Sequence, residues 1–175
     1  MLDLIVPHLH LGTIETASDP EVLRQYQIVA VVCCCPYTEF LVTEEQADIK
    51  YFRVDVEDQS REPIHLYFEE AHDFIHSFTS KEESVFVHCR AGVSRSATVV
   101  ISYLMAKLNY TLHDAFFLVR SRRAAITPNL GFMEQLCEFE EKNFREPTID
   151  MWKYTEWYMS SEDHRTGVPD IAPDY

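Results

Sequence analysis

SVFVHCRAGVSRS, residues 84–96, joins a predicted strand to a predicted helix through a glycine-containing loop. An apolar run of strand length, Ser84–Val87, leads into a loop that contains Gly92, and a helical pattern begins near Ser96. When a loop wraps the start of a helix, several backbone N–H groups point at one spot, and the helix dipole adds partial positive charge there. The stretch therefore predicts an α/β protein with an anion site suited to phosphate.

Two side chains of this stretch carry chemistry. Cys89 lies where the positive end of the helix favours the thiolate, which is the nucleophilic form of cysteine. Arg95 offers a planar fork of donors that can hold two phosphate oxygens at once. Gly92 lets the backbone approach the anion closely. We therefore predict that the chain removes phosphate and that Cys89 attacks phosphorus to form a phosphocysteine intermediate.

The string HCRAGVSRS resembles the signature loop of the protein tyrosine phosphatase superfamily, in its dual-specificity branch. The similarity continues in IVPHLHLG at 5–12, VDVED at 54–58, SYLMA at 102–106 and ITPNLGF at 126–132. The resemblance implies a catalytic domain over residues 1–145, followed by an extension over 146–175. It also implies a protein tyrosine phosphatase-like fold, in which helices flank a central, mostly parallel mixed sheet of about five strands. We expect a small, atypical member without an N-terminal kinase-docking domain.

Hydrophobic periodicity independently predicts strands that alternate with helices. Short strands are predicted within 4–11, and further strands over 28–34 and 49–54. The residues Ile64, Phe68, Ala71, Ile75 and Phe78 recur at helical spacing. Three more helical patterns follow the signature loop, at roughly 95–108, 111–123 and 129–145. This alternation indicates an α/β architecture with a mostly parallel sheet.

Further roles are assigned within the signature loop. Ser96 is placed to hydrogen-bond the departing thiolate when water cleaves the intermediate, and it could also serve as a helix N-cap. His88 is expected to hydrogen-bond the backbone and orient the cysteine. The remaining loop residues are expected to bind phosphate: Arg90, Ala91, Gly92, Val93 and Ser94. Ser94 could alternatively be a plain polar loop residue.

The leaving oxygen of a phosphate ester needs a proton, and a carboxylic acid on a facing loop is the expected donor. Asp55, Glu57 and Asp58 all follow a predicted strand, in a loop that can reach the site. Spacing does not separate these three. The resemblance selects Asp58, with Asp55 as the alternative and a solvated loop charge as the remaining interpretation.

Three residues outside these segments also match family positions. Arg123 matches a residue that contacts a second phosphate or an acidic stretch of substrate, although a cation is also favoured at a helix C-terminus. Asn129 resembles an asparagine that braces the signature loop, or is simply part of the first turn of a helix. Cys35 aligns with a thiol that traps an oxidised catalytic cysteine as a disulfide. The alternative is that the three adjacent cysteines, Cys33–Cys35, are small buried hydrophobes.

Composition narrows the partners and the compartment. A formal net charge of -14 opposes binding to nucleic acid and to anionic membranes. No apolar run approaches the roughly 20 residues that cross a bilayer. Five cysteines, three of them adjacent, form no secreted disulfide framework, so we expect the cytosol or the nucleus. The predicted reaction needs no cofactor, and we expect no metal, because adjacent cysteines rarely share a tetrahedral ion.

Substrate class rests on the resemblance. It implies a shallow pocket open to phosphotyrosine and to phosphoserine or phosphothreonine in a protein, with kinases among the candidate substrates. A phosphoinositide substrate is the second hypothesis; lipid-specific relatives place lysines within the loop, whereas here only Arg90 adds charge. A catalytically weak phospho-binding adaptor is the third, although such relatives lose the cysteine or the acid.

Residues 146–175 carry seven acidic and two basic side chains. Segment 151–159 is too aromatic to stay in water, so it predicts a short helix that packs on the domain or on a second copy of the chain. The last dozen residues, with Gly167, Pro169 and Pro173, predict a flexible end.

Overall fold

The structure is a computed structural model that describes residues 2–39, 48–144, 146–160 and 167–174. Its centre is a five-stranded sheet in the order β1-β2-β5-β3-β4. The strands are β1 (Leu2–Val6), β2 (Leu9–Thr13), β3 (Ile28–Cys33), β4 (Lys50–Arg53) and β5 (Ser84–Cys89). β1 is antiparallel to β2, and all other neighbours are parallel. The mostly parallel mixed sheet predicted from the sequence is confirmed.

Helices flank this sheet. In the described residues they are α1 (Ile14–Ala17), α2 (Pro20–Gln25), α3 (Phe68–Thr79), α4 (Arg95–Leu108), α5 (Leu112–Arg122), α6 (Leu130–Phe144) and α7 (Met151–Met159). The helical pattern predicted from Ile64 begins as a 3₁₀ turn over Ile64–Tyr67, because the Leu66 N–H donates to the Pro63 carbonyl three residues back. No helix of the described chain is both long enough and apolar enough to cross a bilayer.

The sheet order places β5 between two parallel neighbours. Val31 and Val32 of β3 and Val85–Val87 of β5 are fully buried, as expected for parallel strands covered on both faces. At the carboxyl ends of the strands, Cys89 pairs with Thr13 of β2 and His88 pairs with Cys33 of β3. Because ligands bind at the carboxyl ends of such strands, this edge is where a functional site is expected.

α4 follows β5 and forms the centre of the helical layer. Its first eleven residues, Arg95–Met105, are all buried, so this helix is enclosed on nearly every side. It ends at Asn109, which adopts a left-handed conformation with φ 61°. Burial of the first turns means that the packing of the core fixes the helix N-terminus relative to the end of β5.

The helix predicted over 151–159 is present as α7 and begins after Asp150, whose side chain accepts from the N–H groups of Trp152 and Lys153. It packs on its own domain, where Tyr154 is fully buried. Trp152, on another face, is 72% exposed. Association of two copies through this segment stays a prediction.

The end of the chain differs from the flexible end that the sequence predicts. Ile171 is buried, and its carbonyl accepts from the Asp150 N–H at 2.7 Å. Lys153 Nζ donates to the Ala172 carbonyl at 2.8 Å and to Asp174 Oδ1 at 2.6 Å. Burial of Pro169 and Ile171 and these bonds hold the described residues 167–174 against α7, even though their composition is typical of a loop.

Candidate active site

The site is built around Cys89, the last residue of β5, whose side chain is 2% exposed. Ser96, in the first turn of α4, donates from Oγ to Cys89 Sγ at 3.1 Å. The N-cap of α4 is Ser94, so the alternative N-cap role of Ser96 is wrong. A hydroxyl aimed at the sulfur stabilises negative charge there.

The signature loop turns its backbone carbonyls outward. The carbonyls of residues 90–94 accept, in chain order, from Ile14 N at 3.2 Å, Arg123 Nη2 at 2.8 Å, Arg123 Nε at 2.6 Å, Thr127 N at 2.9 Å and Thr98 N at 2.9 Å. In a trans peptide the N–H points opposite to the C=O, so the N–H groups of residues 91–95 point into the space that the loop encloses. Together with the N-terminus of α4, they form a cradle for an anion beside Cys89.

Arg123 belongs to the scaffold of this loop. Besides its bonds to the carbonyls of Ala91 and Gly92, it forms an ion pair with Asp3 through Nη1 at 2.7 Å. The predicted contact of Arg123 with a second phosphate or an acidic stretch of substrate stays a prediction. The outward carbonyls require donors, and the guanidinium supplies them.

Gly92 gives the loop its shape. Its φ is +64°, and a Cβ at this position would lie 2.4 Å from the Gly12 carbonyl oxygen. Only glycine fits a left-handed turn in such close contact with a neighbouring strand.

Arg95 begins α4, and its guanidinium is buried at the edge of the cradle. Nη1 lies 3.1 Å from Glu39 Oε2 and 3.3 Å from the Val56 carbonyl. Burial opposes the charge of Arg95, but the acidic groups around it, chiefly Cys89, Cys35 and Glu39, outweigh burial, so the pKa of Arg95 is raised. The guanidinium is therefore a fixed cation beside the sulfur.

Asp58 is tied to the signature loop through a single oxygen. Its Oδ1 accepts from Ser94 Oγ at 2.7 Å and from Asn129 Nδ2 at 2.8 Å. Ser94 Oγ in turn accepts from the Asn129 N–H at 3.0 Å, and Asn129 Oδ1 accepts from the Phe132 N–H at 3.0 Å. Asn129 therefore both braces the loop and caps the first turn of α6, and Ser94 is more than a plain polar loop residue.

Three buried side chains beside the site could hold a soft metal ion: Cys33, Cys35 and His88, whose ligand atoms lie within 4.8 Å of one another. A hydrogen bond between the two thiols lowers the pKa of Cys33 and raises that of Cys35. The His88 ring lies beside these thiols and stacks on Phe86. The backbone contact predicted for His88 stays a prediction. A closed structural zinc site has four ligands, and this group of described residues supplies three. Disulfide formation between Cys35 and Cys89 stays a prediction.

The family model for the dual specificity phosphatase catalytic domain matches residues 9–142. The chain therefore belongs to the dual specificity phosphatase family and carries its catalytic domain, which is of the protein tyrosine phosphatase class. The match ends before the extension, and the division into 1–145 and 146–175 stays a prediction.

Individual relatives agree with this assignment. Human dual specificity protein phosphatase 6 is 36% identical over 136 residues, which are 78% of this chain and 35% of that protein, so the chain spans about a third of that relative's length. The crystal structure of human DUSP28 matches with a TM-score of 0.75 at 28% identity, covering 81% of this chain and 93% of that one. The crystal structure of human tyrosine phosphatase-like serine/threonine/tyrosine-interacting protein matches with a TM-score of 0.76 at 34% identity, and the match covers 81% of this chain and 96% of that one.

Sequence reasoning missed Glu39, which contacts Arg95. The loop after β3 carries no motif, and the one available signal is that parallel β3 and β5 end at the same edge of the sheet. A cavity of about 580 Å³ lies elsewhere, among α3, α4 and α6, and is lined by residues such as His72, Lys107 and Phe139. None of its lining residues belongs to the signature loop.

Proposed function

We propose that this chain hydrolyses phosphate esters on proteins through a phosphocysteine intermediate on Cys89. The observation that carries the proposal is the 3.1 Å contact of Ser96 Oγ with Cys89 Sγ, beneath a loop whose N–H groups converge on the same space. A thiol that only fills space needs neither a hydroxyl donor nor an anion cradle. The buried Arg95 at the edge of that cradle adds the positive charge that a phosphate dianion requires.

In the first step, the Cys89 thiolate attacks phosphorus. The P–S bond forms as the bond from phosphorus to the leaving oxygen breaks, and Asp58 gives its proton to that oxygen. Arg95 and the loop N–H groups hold the three equatorial oxygens, so the developing charge meets donors that are already in place.

In the second step, water attacks the phosphocysteine. The ionised Asp58 takes a proton from the water as the new P–O bond forms, and the P–S bond breaks to release inorganic phosphate. The sulfur leaves as a thiolate, and the Ser96 hydroxyl stabilises it by donating a hydrogen bond. The product leaves both Cys89 and Asp58 in their starting protonation states.

Contacts support Asp58 over Asp55 as the acid. Both hydrogen bonds to Asp58 fall on Oδ1, which directs the proton to Oδ2. These bonds join its carboxyl group to the loop that carries the nucleophile. For Asp55, the contact within the described chain is made by its backbone carbonyl, which accepts from the Tyr67 hydroxyl at 3.5 Å.

The substrate we propose is a phosphotyrosine, phosphoserine or phosphothreonine residue of a protein, with kinases among the targets. Membership of the dual specificity family supports this class. We further propose that the protein works in the cytosol or nucleus, because all five cysteines are free thiols.

Phosphate release from matched substrates tests the proposal. The wild-type chain is expected to release phosphate from phosphotyrosine and phosphothreonine peptides, and Cys89→Ser to release none from either. Release from a soluble phosphoinositide but not from the peptides would assign the lipid class instead. A wild-type chain that binds phosphopeptides without releasing phosphate would be an adaptor, the kind of role that the name of the tyrosine phosphatase-like interacting protein suggests for that relative.

A further inference from the structure

We infer that the C-terminal extension, which lies outside the family match, positions the general acid, and that Tyr154 is the residue through which it does so. The inference rests on the proposed role of Asp58. The extension would then contribute to the reaction, by positioning the general acid, as well as to the stability of the domain.

The segment Ile126–Asn129 connects the extension to the acid. Some of its hydrogen-bonding groups face the site, and others face the extension and α5. The Thr127 N–H donates to the Val93 carbonyl of the signature loop at 2.9 Å, and Asn129 Nδ2 donates to Asp58 Oδ1 at 2.8 Å. The carbonyls of Ile126 and Pro128 face the other way and accept from side chains outside the site.

Tyr154 of α7 holds the second of these carbonyls. Its hydroxyl donates to the Pro128 carbonyl at 2.6 Å, one residue before the asparagine that binds Asp58. The Tyr154 ring is fully buried against Phe116 and Trp157, at centroid distances of 5.9 and 5.4 Å. Because packing fixes the ring, the hydroxyl is a fixed donor to the Pro128 carbonyl.

Arg120 holds the first carbonyl and joins it to the extension. Nη1 donates to the Ile126 carbonyl at 2.9 Å, and Nη2 donates to the Gly167 carbonyl of the terminal segment at 3.2 Å. The guanidinium also lies 4.8 Å from the ring centroid of Trp157 on α7. Two buried side chains therefore attach the extension to the segment that carries Asn129.

Tyr154 is a positioning residue in this arrangement, since it acts through Pro128 and Asn129. Removing its hydroxyl loosens the Pro128 carbonyl and with it the bond from Asn129 to Asp58. The defect should therefore appear where proton donation limits the reaction. Phenolate is a poor leaving group and needs the proton, whereas 2,4-dinitrophenolate leaves without one.

The test compares the wild-type chain, Tyr154→Phe and a matched control, Tyr110→Phe, which removes the hydroxyl of a half-buried tyrosine outside the extension. The measured quantity is kcat/KM for phenyl phosphate and for 2,4-dinitrophenyl phosphate, with thermal unfolding recorded for each variant. Tyr154→Phe is expected to lower kcat/KM for phenyl phosphate about fivefold and to leave that for the dinitrophenyl ester unchanged. Tyr110→Phe is expected to match wild type on both substrates. Arg120→Lys, which keeps the charge but replaces the two donor nitrogens of the planar fork by one, should reproduce the selective loss.

Combination with Asp58→Ala separates the two hypotheses. If Asp58→Ala selectively loses phenyl phosphate hydrolysis, the acid is assigned, and Tyr154→Phe should then add nothing in that background. If Asp58→Ala shows the loss while Tyr154→Phe lowers both substrates equally or neither, the inference about the extension is overturned and the proposed function stands. If Asp58→Ala behaves like wild type, the proposed acid itself is wrong, whatever Tyr154→Phe does.

Discussion

Gly131→Ala is expected to displace the loop that carries the proposed acid. A Cβ at Gly131 would lie 2.0 Å from the Ser60 carbonyl oxygen, whereas ordinary van der Waals contact begins near 3.4 Å, so the two backbones must separate by about 1.4 Å. Gly131 lies two residues after Asn129, and Ser60 lies two residues after Asp58. The same movement therefore pulls apart the 2.8 Å bond between Asn129 and Asp58.

The expected cost follows from the displacement. A shift of about 1 Å in a catalytic group can reduce a rate on the order of 100-fold. We therefore expect kcat/KM for phenyl phosphate to fall by roughly 10- to 100-fold in Gly131→Ala, with a much smaller change for 2,4-dinitrophenyl phosphate.

The contrasting variant is Gly92→Ala, which places a Cβ 2.4 Å from the Gly12 carbonyl oxygen in a backbone with φ +64°. This change distorts the phosphate cradle itself, so it should lower kcat/KM for both esters alike. Two results would show that Gly131→Ala does not displace the acid: hydrolysis of phenyl phosphate at the wild-type rate, or a loss of kcat/KM that is equal for both esters, as in Gly92→Ala.

Three further predictions concern stability and oxidation. Burial lowers the pKa of His72 to about 4, so between pH 6.5 and 4 the unfolded chain binds a proton that the folded chain does not. The stabilisation is present above pH 6.5 and is lost as the pH falls. In urea unfolding, the free energy of unfolding of wild type should fall by about 2 kcal/mol between pH 7 and 5, and that of His72→Gln should not. An equal fall in the free energy of unfolding of the variant would contradict this prediction. Glu140 is 1% exposed and accepts from the backbone N–H groups of Leu112 and Thr148, so Glu140→Ala should cost about 3 kcal/mol in urea unfolding. The exposed neighbour changed in Glu141→Ala should cost under about 0.5 kcal/mol, and similar losses for both would count against this. Peroxide should oxidise Cys89 and lead to a disulfide with Cys35, which protects Cys89 from irreversible oxidation. Wild type should therefore recover activity when a thiol reductant is added after peroxide, and Cys35→Ser should not. A mass spectrum of peroxide-treated wild type without that disulfide would contradict this prediction.

The sequence predicted the elements whose signals are local. β5, the signature loop and α4 were predicted because an apolar run, a glycine loop and a helical pattern lie side by side between residues 84 and 108. The pairing of Ser96 with Cys89 followed from the same short stretch. α7 was also predicted from a local signal, because the aromatic side chains of residues 151–159 require burial.

Features that depend on contacts between distant residues were not accessible in this way. Spacing left Asp55, Glu57 and Asp58 equivalent, because the bond that distinguishes Asp58 comes from Asn129, 71 residues further along the chain. The resemblance suggested that Arg123 contacts a second phosphate or an acidic stretch of substrate, and its place at a helix end gave the alternative. Neither indicates its bonds to the carbonyls of a loop that precedes it by about 30 residues.

The end of the chain shows a related limit. Its proline and glycine content is typical of a mobile tail, and composition gives no weight to the apolar side chain of Ile171. That side chain is buried, and the backbone beside it bonds to Asp150. Burial of Pro169 and Ile171 and a few hydrogen bonds are enough to hold a short segment in place, and such contacts leave no periodic signal.

Trapping the phosphocysteine intermediate shows directly whether phosphate is transferred to Cys89. Ser96→Ala removes the hydroxyl 3.1 Å from Cys89 Sγ, so the second step should slow while the first continues. Wild type, Ser96→Ala and Cys89→Ser would each be mixed with an aryl phosphate, quenched within milliseconds to seconds and digested for mass spectrometry. A phosphorylated peptide that contains Cys89 is expected to accumulate most in Ser96→Ala and to be missing in Cys89→Ser. Phosphate on another residue, or hydrolysis by Cys89→Ser at the wild-type rate, would contradict it.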